Sequence, residues 1–225
     1  MHEAQDQELD PGVRRDDEQA NMVFSYVALG DSYSIGEGVE EAARWPMQLA
    51  HALRTDDIAL ADPRIIAMTG WTTDELATAM DEAEPLGEWD VVSLLIGVND
   101  QYRGRDVDDY IGGFTPLLQR AIALADGRPR RVFVLSIPDW GVTPFARESG
   151  RNLQQIADEL DAYNAAARTI CIAHDVAFIN ITQVSRELGA HPNMLADDGL
   201  HPSASMYAEW TQLALPVARE LLTEE

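Results

Sequence analysis

Five short, mainly apolar runs punctuate the chain, at residues 23–29, 64–68, 90–96, 131–137 and 176–181. Runs of this length without strict alternation suit strands covered on both faces, so they predict five parallel strands. Between them, residues 43–55, 73–83, 106–125 and 152–174 space their apolar positions as helices do, and 203–222 adds a last helix. Thr72-Thr73-Asp74-Glu75 predicts a cap at the start of the second of these. Strand and helix alternate, and such crossovers are right-handed, so the expected fold is α/β: a doubly wound, five-stranded parallel sheet in a three-layer α/β/α sandwich. Residues 1–20 are polar and acidic and read as a disordered tail, leaving 21–225 as one domain.

The chemistry-bearing residues cluster where these strands should end. Gly30-Asp31-Ser32-Tyr33-Ser34 follows the first run, Gly70 the second, and Gly97-Val98-Asn99-Asp100 the third. Strand tips in open α/β sheets are where ligands bind. A serine there becomes a nucleophile if a base takes its proton, and Asp198-Gly199-Leu200-His201-Pro202 supplies carboxylate and imidazole just before the last helix. Aspartate three residues before histidine can meet it within a turn. Taken singly, each piece also fits a turn or a helix cap; together and in this order they point to one site.

These four blocks resemble those of the SGNH/GDSL hydrolase family of esterases and lipases, with Tyr33 where leucine is usual. The resemblance spans most of the chain and implies a flavodoxin-like sheet of order 2-1-3-4-5. It also implies roles. Ser32 would be the nucleophile, His201 the general base and Asp198 its orienting partner. The backbone N–H groups of Ser32 and Gly70 and the side-chain amide of Asn99 would form the oxyanion hole. No metal or organic cofactor would be needed. Asp31, Trp71, Tyr102 and Trp140 are the expected substrate contacts, since they sit at or after the same strand ends. The expected partner is a small-molecule ester. An acyltransferase, a carbohydrate O-deacetylase or a catalytically idle binding module would use the same scaffold.

Composition narrows the alternatives. The formal charge is −23, from 39 acidic residues against 16 basic ones, and every basic residue is arginine. Such a chain should be repelled by nucleic acid and by anionic membranes. Compositional bias and adaptation to high salt both account for the acidity, and the second predicts activity and melting temperature that rise with molar salt. Residues 1–20 contain no apolar core of a secretory signal and no run suits a membrane span, so stable membrane insertion is not expected and a cytoplasmic location is. His191 is the only rival base, but residue 188 is a leucine where His201 has its aspartate. The lone Cys171 reads as core. The oligomeric state stays open.

Overall fold

The computed structural model describes residues 23–223; the acidic stretch expected to be a tail lies outside them. Five strands, β1 (Tyr26–Gly30), β2 (Arg64–Ala67), β3 (Val91–Leu95), β4 (Val132–Leu135) and β5 (Ala177–Ile179), form one sheet in the order β2-β1-β3-β4-β5. All four pairings are parallel. β1, β3 and β4 are buried at every position, as strands covered on both faces must be.

The helices, in chain order, are α1 (Ser32–Ile35), α2 (Trp45–Thr55), α3 (Thr73–Glu82), α4 (Val98–Tyr102), α5 (Val107–Leu124), α6 (Pro144–Glu148), α7 (Leu153–Ala173), α8 (Thr182–Leu188) and α9 (Ala204–Thr223). α9 packs on α2 and against β3, β4 and β5. α5 packs on β3 and on both α3 and α7, and α7 packs on β5. Trp45 and Trp210 are fully buried in the core, as is Cys171.

Each expected strand and long helix is present. The first strand starts three residues late, because Phe24 makes only an isolated bridge to Leu60 before the ladder begins at Tyr26. The cap at Thr72 is a capping box in which the Thr72 N–H donates to the Glu75 carboxylate at 2.9 Å. Four short helices, α1, α4, α6 and α8, were not anticipated, and three of them border the cleft described next.

Registry places the carboxyl ends side by side. Gly30 is level with Ala67 on one side and Leu95 on the other, so residues 32, 70 and 98–99 leave the same edge of the sheet. Gly30 is required by close approach, since a Cβ there would come within 2.5 Å of the Leu95 carbonyl oxygen. Among the described residues no helix is long and apolar enough to cross a membrane.

Candidate active site

At this edge a cleft of about 240 Å³ opens, and Ser32, Gly70, Asn99 and His201 all line it. Tyr33, Tyr102, Trp140, Phe145 and Leu200 give it a largely apolar wall. Ser32 is the first residue of α1, directly after Asp31, whose carboxylate caps the turn by accepting the Tyr33 N–H at 3.0 Å. The chain therefore stops running as a strand and turns at the serine, which presents its hydroxyl at the sheet edge.

Asp198 and His201 sit in the loop that precedes α9. The Asp198 carboxylate accepts the Leu200 and His201 backbone N–H groups, each at 2.9 Å, and faces His201 Nδ1 at 2.5 Å. Burial pushes the Asp198 pKa up, but the hydrogen bonds from the His201 ring and the two backbone N–H groups outweigh it, leaving the pKa below the usual carboxylate value. With Nδ1 directed to this carboxylate, Nε2 is the ring nitrogen free to exchange a proton in the cleft. The loop is clipped by a Leu195–Pro202 bridge and by the Phe145 N–H, which donates to the Gly199 carbonyl at 3.2 Å.

Tyr33 takes part where sequence reasoning gave it no role. Its buried ring meets the His201 ring edge-on at 6.0 Å and Trp210 at 5.8 Å, so the residue beside the serine supports the imidazole. The signal was its aromatic identity where the family uses leucine.

Gly70 and Asn99 are held by hydrogen bonds that cross the sheet edge. Gly70 has φ +90°, a conformation that glycine adopts without strain. Its carbonyl accepts from Arg103 Nη2 at 2.7 Å, and the carbonyl of the next residue, Trp71, accepts from the Asn99 amide at 2.9 Å. Arg103 is in turn held by both oxygens of Glu75, at 3.0 and 3.1 Å. The wholly buried Asp100 carboxylate accepts the Thr73 N–H at 3.0 Å, the Thr73 hydroxyl at 2.8 Å and Arg105 Nη1 at 3.0 Å. These contacts tie the β2–α3 turn to α4, leaving the second Asn99 amide proton and the Gly70 N–H to serve a ligand. Arg103, Asp100 and Thr73 were not anticipated, because their partners lie about 30 residues away and no local pattern signals such pairs.

The four expected substrate contacts divide. Tyr102, 41% exposed, and Trp140, buried, line the cleft, with ring centroids 5.4 Å apart. The Trp140 indole N–H donates to the Gln101 side chain at 2.9 Å, which fixes that wall. Asp31 and Trp71 do not line it. Asp31 is fully buried beneath the serine as a cap, and Trp71 offers the site its backbone carbonyl while its ring packs on the core. Closeness to a strand end in sequence does not fix which way a side chain turns. The rival His191 is exposed and does not line the cleft. Among the described residues no group of three or more His, Cys, Asp or Glu could hold a metal ion.

The profile of the GDSL-like lipase/acylhydrolase family matches residues 28–209. Among solved structures the chain is similar to that of TesA, with TM-score 0.68 and 17% identity over 88% of this chain and 99% of that one. It is also similar to a lipase/acylhydrolase from Enterococcus faecalis, with TM-score 0.67 and 18% identity over 88% and 96%. A third is the acetylxylan esterase Axe2 from Geobacillus stearothermophilus, with TM-score 0.66 and 17% identity over 90% and 97%. At such identities these likenesses speak for the fold. No curated protein matches the chain in sequence.

Proposed function

Since the chain belongs to the GDSL-like lipase/acylhydrolase family, we propose that it hydrolyses carboxylic esters through Ser32, His201 and Asp198. The observation that carries this reading is the single cleft shared by Ser32, Gly70, Asn99 and His201. In the proposed cycle His201 Nε2 takes the Ser32 proton as the hydroxyl oxygen attacks the ester carbonyl. The carbonyl π electrons move onto oxygen, giving a tetrahedral oxyanion. The Ser32 and Gly70 N–H groups and the free Asn99 amide proton stabilise it, and donors of this kind are worth about 3 to 4 kcal/mol each in the transition state. Collapse breaks the bond to the alcohol, which leaves with the proton from His201, and an acyl-enzyme remains. Water, deprotonated by His201, then attacks the acyl carbon, and the acid and Ser32 are released. Asp198 holds the Nδ1 tautomer and stabilises the transient imidazolium.

A cleft of about 240 Å³ with a mainly apolar wall suits a short acyl chain. Turnover of p-nitrophenyl esters from acetate to laurate by the native protein and by Ser32→Ala tests this. The expected result is turnover that peaks at short acyl chains and vanishes in the variant. Equal turnover in Ser32→Ala overturns the mechanism, and an optimum at laurate overturns the substrate size.

A further inference from the structure

A second cavity of about 330 Å³ shares Tyr102 with the cleft at Ser32. Its walls carry two guanidinium groups, Arg103 and Arg151, the amides of Gln101 and Gln155, and one carboxylate, Glu159. Two of these three charges are already committed. Arg103 is bound to Glu75, as described above. Both Glu159 oxygens accept amide protons, from Gln101 at 2.6 Å and from Gln155 at 2.7 Å.

Arg151 differs. Among the described residues no carboxylate comes within ion-pair distance of it. One of its nitrogens donates to the Tyr102 carbonyl at 2.7 Å. Its guanidinium lies over the Tyr102 ring, 4.2 Å from the centroid, and 5.7 Å from that of Trp140. Two residues that line the first cleft, Tyr102 and Trp140, therefore also contact this cation, which itself lines the second cavity. A guanidinium stacked on an aromatic face has little freedom left to lose when it binds, and its remaining N–H groups can grip two oxygens at once.

We propose that Arg151 recognises an anionic group, a carboxylate or a phosphate, borne by the ester whose carbonyl sits at Ser32. This rests on the hydrolase reading above. The −23 charge of the chain opposes anions at long range, so selection has to come from contact rather than steering. The preference should therefore appear in KM and weaken with salt.

The test compares matched esters in the native protein, Arg151→Gln and Arg151→Lys. One pair is p-nitrophenyl butyrate against mono-p-nitrophenyl glutarate, with the anion on the acyl side. The other is phenyl acetate against 4-acetoxybenzoate, with the anion on the leaving group. In at least one pair the native protein should favour the anionic ester, and Arg151→Gln should lower the anionic-to-neutral ratio of kcat/KM about tenfold, with Arg151→Lys in between. A ratio that Arg151→Gln leaves unchanged in both pairs overturns the proposal while ester turnover itself stands. Competition by glutarate against inorganic phosphate separates the two anions. If no ester is turned over at all, the hydrolase reading fails instead. Thermal-shift binding of glutarate and phosphate to native protein and to Arg151→Gln then decides the Arg151 site alone, and equal shifts refute it.

Discussion

The two sides of the cleft are built by opposite means. Gly70 and Asn99 stand on a framework whose hydrogen bonds join residues 27 to 33 apart in sequence: Thr73 to Asp100, Trp71 to Asn99 and Gly70 to Arg103. Asp198 and His201 instead form a local unit, one turn in which a single carboxylate accepts two backbone N–H groups and faces the ring. The Asp198 side chain is 43% exposed, whereas Asp100 is wholly buried. The difference teaches that the proposed donors to a developing oxyanion are fixed by contacts across the fold, while the proposed proton-transfer pair meets within one turn, which Phe145 and Tyr33 brace from outside. Substitutions on the first side should therefore cost stability and activity together, and those on the second should cost activity alone.

The largest effect is expected from His201→Ala, which should lower kcat by at least about 10⁴-fold while shifting Tm by no more than about 2 °C. Ester kinetics with a thermal melt check this, and a large loss of stability would erase the contrast. Next, Asp100→Ala strands the Thr73 N–H and hydroxyl and should cost about 2 to 3 kcal/mol, a fall in Tm of roughly 5 to 10 °C, with activity falling as the Gly70 turn loosens. Asn99→Ala removes the proposed donor to the oxyanion and one pin on the turn, and should lower kcat about 10² to 10³-fold with KM little changed. A loss confined to KM would mean that Asn99 binds substrate instead.

Arg103→Met sharpens the comparison further. It frees the Gly70 carbonyl without touching a reacting atom, so kcat should fall about tenfold and inhibition by a phosphonate analogue should weaken in step. A melt that drops with unchanged kcat would make Arg103 merely structural. The smallest effect concerns Asp31. Burial, aided by the negative charge of Asp100 and opposed by the Tyr33 N–H, raises its pKa to about 7. The unfolded carboxyl titrates near 4, so between these values the unfolded chain ionises and the native one does not, and stability falls as pH rises from about 4 to 7. Asp31→Asn should flatten that fall, gaining on the native protein between about pH 4 and pH 7 in urea midpoints. Parallel curves would show that Asp31 does not titrate there.

The same contrast sets what the sequence disclosed. The strands and long helices were legible because apolar runs and helical spacing are local signals long enough to read, whereas the strand order came from the family resemblance. The Asp198–His201 pair was legible for the same reason, since three residues suffice to bring them together. α1 and α4, at four and five residues, are too short to show a period. Arg103, Thr73 and Asp100 gain their roles only once registry has brought β2 and β3 to one edge beside β1. Asp31 and Trp71 show the converse, because both stand beside the right positions and turn into the protein.

The most direct test of the account is labelling by a fluorophosphonate followed by mass spectrometry of the digest. The account predicts one adduct per chain, on the peptide that carries Ser32, formed far more slowly in His201→Ala and absent in Ser32→Ala. An adduct on any other serine, or an undiminished rate without His201, would contradict it.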